Sequence, residues 1–251
     1  MRGLGRKLIA NTAQRRAQVL FSHLHVDHIF GFPFFLPLFA PGWDISVGVP
    51  AFSDAEAKER IARYLNGTFH PVRLRDIAAN VRFHAVRAGR SIPSEGWQID
   101  ALRLHHPGGA LGYRVSAPAS GGEPAATIAY LTDTQPFAAP GEGVAANKPP
   151  TAAEQRLIAF LKGVDLCIFD TMFDYDDYLE KMHFGHSYPE YAIAICRAAG
   201  VPELQLFHHQ PEADDAELDA RAARYLGVEG VRVRLAQEGS TVTPGGGRVL
   251  A

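Results

Sequence analysis

Apolar positions along the chain recur at two periods, and the switches between them mark out the elements. Residues 3–16 read as a short helix, followed by a buried strand around Gln18–Phe21. Ile45–Val49 reads as a second strand, closed by Pro50. Ser53 is placed to cap a helix over 54–65, with Glu56 at the third position completing a capping box. Strand-like runs follow at 81–86, 98–106, 110–116 and 126–132, the middle two joined by the turn Pro107-Gly108-Gly109. The stretch 135–150 is rich in Pro, Gly and Ala and reads as a surface loop. Beyond it, helix 151–162 leads into strand 165–169, helix 187–199 into strand 203–208, and helix 214–226 into strand 230–235. A β meander followed by αβ alternation predicts an α/β (α+β) fold, with stacked sheets and helices outside, in one domain over 1–251.

The 251 residues suffice for one large α/β domain or two small ones. At 47% hydrophobic and 21% charged, the composition is that of an ordinary globular protein. The formal net charge is −2 with Lys and Arg scattered, so no stripe for a polyanion stands out, and a small-molecule substrate is the expected partner. Cys167 and Cys196 sit in apolar contexts as small core residues, and no C-x-x-C pair points to a cysteine metal site. No apolar run approaches the length of a membrane span. The basic start Met-Arg-Gly-Leu-Gly-Arg-Lys lacks the apolar stretch of a secretory signal, so a cytoplasmic location is expected.

The strongest chemical signal is His23-Leu24-His25-Val26-Asp27-His28, directly after Val19-Leu20-Phe21. In an extended backbone alternate side chains point the same way, so His23, His25 and Asp27 converge. Three imidazoles and a carboxylate within six residues at the end of a buried strand point to metal binding rather than to a solvated polar turn.

This H-x-H-x-D-H pattern resembles the signature of the metallo-β-lactamase superfamily, and later pieces follow in the family's order. His106 stands in Leu104-His105-His106-Pro107-Gly108-Gly109, Asp133 ends the strand Ile128–Thr132, and His208 ends Leu204–Phe207. Gly185-His186-Ser187 opens a helix, as Gly-His-Ser-Thr does in the phosphodiesterase and tRNA 3′-processing (RNase Z-like) branch. Between adjacent histidines the spacing decides: Leu102, Leu104 and His106 share one strand face, as do Leu204, Leu206 and His208, which turns His105 and His209 away. The resemblance implies an αββα sandwich in which one metal is held by His23, His25 and His106. The other is held by Asp27, His28 and His208, with Asp133 bridging. Ligation by nitrogen and oxygen alone suits two Zn²⁺, and Mn²⁺ or Fe²⁺ also fit. Two cations about 3.5–4 Å apart lower the pKa of a shared water and clamp the attacking and leaving oxygens. Asp27 and Asp133 are thus catalytic through the metals, and Asp27 is not free to be an ordinary general base. In the branch that the chain resembles, a helix-opening His protonates or stabilises the departing alkoxide; this makes His186 the candidate general acid and Asp170, at the end of strand Leu166–Phe169, its orienter, the alternative being that His186 only caps the helix at 187.

Leu-His-His-Pro-Gly-Gly-Ala-Leu-Gly-Tyr together with Gly-His-Ser resembles the phosphodiesterase-like branch and points to a small phosphodiester or cyclic nucleotide as substrate. The tRNA-processing enzymes carry a long arm between the ligands equivalent to His106 and Asp133; here 26 residues separate the two, room for a hairpin. An ester, lactone or thioester hydrolase on the same site is the runner-up, and a non-catalytic metal-binding scaffold the third reading. His70, His84 and His183 are expected at the surface or in packing. Of Phe30, Phe32, Phe34, Phe35, Phe39 and Trp43, most are expected in the core and some at a substrate mouth with Phe69-His70-Pro71. Val26 stands where the signature usually has Trp, a packing change. The family's long β-rich segment before the motif is reduced to 22 residues. The Arg2-Gly3-Leu4-Gly5 start resembles that segment's end, so part of the first sheet is expected to be lacking or the start assigned too far downstream. A shortened sheet would leave an edge open to another copy, a homodimer.

Overall fold

Residues Met1–Arg87 and Ala88–Ala251 form two units, and the computed structural model describes residues 1–11, 15–122, 124–244 and 248–250. The first unit runs α1 (Arg2–Asn11), β1 (Arg16–Leu20), α2 (Val26–Ile29), β2 (Asp44–Pro50), α3 (Asp54–Tyr64) and β3 (Asn80–Val86). The three strands form one sheet in the order β1-β2-β3, and both pairings are parallel. Ile45, Val47 and Val49 alternate onto one fully buried face of the central strand. On its other face a Cβ at Gly48 would come within 2.6 Å of Leu20 and 2.9 Å of Val86, so both neighbours pack against bare backbone. Phe21, Phe32, Phe35, Leu38, Trp43 and Ile61 fill the core, each such side chain contributing about 1.5–3 kcal/mol by leaving water.

Two expectations need correction here. The helix expected over 3–16 is shorter, because Arg16 already pairs with Asp44 in the sheet; positions 12–14 lie outside the described residues. The capping box expected at α3 is one-sided. Ser53 accepts from Glu56 N at 3.2 Å, but the Glu56 carboxylate accepts from Phe52 N at 2.7 Å and from Arg60 rather than from Ser53 N.

The second unit runs β4 (Ser91–Ile92), β5 (Gln98–Leu104), β6 (Ala110–Ala117), β7 (Ala126–Leu131), α4 (Ala152–Leu161), β8 (Leu166–Asp170), α5 (Tyr175–Lys181), α6 (Pro189–Ala199), β9 (Glu203–Phe207), α7 (Asp215–Arg224), β10 (Arg232–Leu235), β11 (Ser240–Val242) and β12 (Arg248–Leu250). Seven of these strands form one sheet in the order β10-β9-β8-β7-β6-β5-β4. The β4 to β7 pairings are antiparallel and those from β7 to β10 parallel, the mixture that a meander followed by αβ units produces. Two antiparallel steps give β5 the same direction as β7, β8 and β9. Their C-terminal ends therefore open on one edge, the edge where open α/β sheets bind ligands.

The expected helices begin at readable signals. Thr151 and Glu154 make a reciprocal capping box on α4, as do Asp214 and Glu217 on α7. Pro189 starts α6 and Gly200 closes it in the left-handed region. One face of α6 buries Tyr191, Ala192, Ile195 and Cys196 in a core shared with Phe169, Leu204 and Leu206. α5 and the short strands β4, β11 and β12 have no counterpart in the sequence reading. Among the described residues no helix is long and apolar enough to cross a membrane.

Candidate metal centre

In the first unit β1 delivers the chain to its histidines. Phe21 N donates to Gly48 O at 3.0 Å, so the pairing continues one residue past Leu20, and His23 follows at 3% exposure. Extended backbone ends at His25 (φ −64°, ψ 151°), the N-cap of α2. The expected convergence of His23, His25 and Asp27 on one strand face is thus corrected: Asp27 and His28 lie on a helical turn, about 100° apart around its axis. The His23 ring lies 4.5 Å from that of His25 and 4.2 Å from that of His28. His28 Nε2 meets Asp27 Oδ2 at 3.1 Å. Ser22 Oγ engages His23 Nδ1 at 3.1 Å, which makes Nε2 the nitrogen that this ring offers a metal. Three imidazoles and a carboxylate are thereby gathered within one turn of chain.

In the second unit the strand ends described above carry the remaining candidates. His106, two residues past β5, is 8% exposed. Its Nδ1 donates to Gly185 O at 3.0 Å, so its Nε2 is the ligand nitrogen. His105 turns away to Pro136 O, 2.9 Å from its Nδ1. Past β7, Thr132 Oγ1 donates to Asp133 Oδ1 at 2.6 Å. Asp170, fully buried at the end of β8, accepts three N–H bonds. Its Oδ2 accepts from Thr134 N at 2.9 Å and from His186 Nδ1 at 2.8 Å, and its Oδ1 from Met172 N at 3.1 Å.

β9 stops at Phe207, so His208 does not ride the strand face that its spacing suggested. Its backbone enters the left-handed region (φ 62°), which few non-glycine residues adopt. The turn sets its Nε2 3.3 Å from Asp133 Oδ1 and stacks its ring on His186 at 4.8 Å. His209 departs the other way, with Nε2 3.1 Å from Ala236 O, and burial holds its pKa below the usual imidazole range.

Asp133, Asp170, His186 and His208 each offer one oxygen or nitrogen within 4.8 Å of the others. Two carboxylates at 2% and 0% exposure repel in a low dielectric unless positive charge compensates them. Imidazoles and carboxylates are the donors of a hard or borderline divalent cation; Asp133 and His208 have that chemistry, while Asp170 is taken up by His186. Thiolate has no part in it: Cys167 and Cys196 lie in the apolar core, and burial pushes the Cys167 thiol up, keeping it protonated.

Among the aromatics, Phe32, Phe35 and Trp43 are core, while Phe30 (58%), Phe34 (40%) and Phe69 (77%) stand exposed, Phe34 with its ring 5.3 Å from that of His70. The β6–β7 hairpin and its turns take up the 26 residues between His106 and Asp133.

Gly185 escaped the sequence reading as a site residue. It has φ +89°, and a Cβ there would stand 2.5 Å from His106 Nδ1 and closer still to Pro107 Cδ. Only glycine lets the Gly-His-Ser segment lie against the His106 ring. The glycine before His186 was the available signal.

A sequence profile of the Beta-lactamase superfamily domain matches residues 5–209. No curated protein sequence is significantly similar to the chain. Among solved structures the chain is similar to the metallo-β-lactamase-fold protein YhfI from Bacillus subtilis, with a TM-score of 0.58 and 19% identity over 88% of this chain and 74% of that one. It is also similar to the short form of human tRNase Z, with a TM-score of 0.56 and 19% identity over 94% and 82% of the two chains. A third is CmlA, a diiron β-hydroxylase from Streptomyces venezuelae, with a TM-score of 0.52 and 14% identity over 90% of this chain and 45% of that one. At these identities the likeness establishes the metallo-β-lactamase fold.

Proposed function

The chain belongs to the β-lactamase superfamily, and from that membership we propose that it is a two-metal hydrolase of small phosphodiesters, cyclic nucleotides included. The observation that carries the reading is the His186–Asp170 pair beside Asp133 and His208. Hydrolysis of an ester of an alkyl alcohol needs a proton delivered to the departing oxygen, and an imidazole held by a buried carboxylate is built to deliver one. His23, His25 and His106 would hold one divalent cation, Asp27, His28 and His208 the other, and Asp133 both. When bound, such a pair lowers the pKa of a shared water and neutralises charge on the phosphoryl oxygens. Zinc is the metal we assign; donors without thiolate also accept Mn²⁺ or Fe²⁺.

The chain's own part is to orient and to move a proton. Asp170 accepts the Nδ1–H of His186 at 2.8 Å and sets the orientation of the ring. That fixes the ring so that Nε2–H is the proton handed to the leaving alkoxide. Thr134 N and Met172 N hold the carboxylate in turn, so the orienter is itself oriented.

Metal-replete protein should hydrolyse an aryl phosphodiester and lose that activity on chelation. Turnover of lactones or thioesters with none of the diester would replace the reading by the carboxylic-ester one. Bound metal without turnover of either class would favour a scaffold.

A further inference from the structure

Arg221, on α7, is 6% exposed and lies far in sequence from both Asp170 and His186. Its Nη1 donates to Thr171 O at 3.0 Å and Met172 O at 3.4 Å, its Nη2 to Met172 O at 3.3 Å, and its Nε and Nη2 to Asp174 Oδ1 at 3.0 and 2.7 Å. Five contacts from one guanidinium thus fasten the segment 171–174, which begins where Asp170 ends. Arg224, one turn on, takes the other Asp174 oxygen at 2.8 Å.

The fastened segment touches each part of the proton-delivery apparatus. Met172 N donates to Asp170 Oδ1 at 3.1 Å. Thr171 N donates to Phe207 O at 2.9 Å, directly before His208. Phe173 N donates to Ser187 O at 3.1 Å, and the Phe173 ring meets that of His186 at 5.9 Å. We propose that Arg221 is a positioning residue for the Asp170–His186 pair: by holding the 171–172 peptides it keeps the Asp170 carboxylate turned so that Oδ2 faces His186 Nδ1. This rests on the reading of His186 as general acid.

The alternative is that Arg221 only staples α7 to the sheet. An apolar side chain of similar volume staples helices as well or better, whereas a guanidinium fork fixes the orientation of two carbonyls and a carboxylate at once. The carboxylate is kept charged for this role: burial pushes Asp174 up, but the hydrogen bonds from Arg221 and Arg224 outweigh it and hold its pKa below the ordinary range. If the 171–172 peptides move, Asp170 loses one of its three N–H donors and is free to rotate. Proton delivery contributes about 10²–10⁴ in rate, and an Asp170 carboxylate free to turn forfeits part of that.

The test uses holoenzyme of Arg221→Met and Arg221→Lys with two readouts. The kcat ratio of an alkyl or nucleotide diester to an aryl diester should fall about tenfold in Arg221→Met with KM little changed, because only the alkoxide needs the proton. Arg221→Lys should show a smaller fall in the same ratio, and it serves if the Met variant does not fold. Independently of turnover, the His186 Nδ1–H proton resonance should be sharp and downfield in the parent and shifted or broadened in the variants. An unchanged resonance, or equal losses on both substrates, overturns the proposal. A parent with a sharp resonance and no diesterase activity refutes the phosphodiesterase reading instead, while the resonance still decides the role of Arg221.

Discussion

A histidine 2.8 Å from a fully buried carboxylate has its tautomer chosen for it, and the general-acid role proposed for His186 is tested by varying the leaving group. Nitrophenolate departs without a proton, whereas an alkyl or ribose alkoxide requires one, a difference of about 10²–10⁴ in rate. His186→Ala should therefore keep its metals and much of its activity on an aryl phosphodiester, and lose far more on an alkyl or nucleotide diester. Asp170→Asn should show a weaker version of the same pattern. Steady-state kinetics on both substrate types decide this; equal losses would assign His186 to structure or binding. Residues such as these were legible because their signal is local. His23 to His28 sit within six positions, and Gly185-His186-Ser187 is contiguous. Arg221 was not legible, since its meaning lies in bonds to residues 47 to 50 positions away that no spacing announces.

Helices and strands were readable where their ends carry chemical markers. Thr151, Asp214, Pro189 and Gly200 each stand where a helix must begin or stop, and the boundaries there fall within about two residues of the expected ones. α5 was not legible because its seven residues, Tyr175–Lys181, bury Tyr178 alone, too little for an apolar helical period to show. The run through Asp27 was misread because periodicity does not say where an extended strand becomes a single helical turn. The Gly185 contact is likewise an element-scale fact, one segment laid against another at backbone distance. Gly185→Ala would put a side chain into the His106 ring at a left-handed φ, a conformation that alone costs an L-residue about 1–2 kcal/mol. Its thermal midpoint should drop, and its metal affinity should fall in parallel as His106 is pushed aside. A variant with unchanged metal affinity would show that the His106–Gly185 bond does not position a ligand.

At the scale of the whole molecule, the strand directions of the second unit matter more than any one contact. Four strand ends on one edge bring up His106, Asp133, Asp170 and His208, and a meander joined to αβ units is the chain order that produces this. That arrangement was legible as a class, α/β with mixed sheets, because hydrophobic period and turn residues report element type. Sheet order was not, because pairing partners are chosen by packing among distant segments. The first unit supplies His23, His25, Asp27 and His28, and the proposed function requires all seven ligands to act on two cations. Elemental analysis of purified, metal-replete protein measures that requirement directly. Close to two divalent metals per chain is the predicted result, falling in His106→Ala and His208→Ala while His105→Ala and His209→Ala stay near the parent. A well-folded protein that takes up no metal under these conditions would contradict the two-metal assignment.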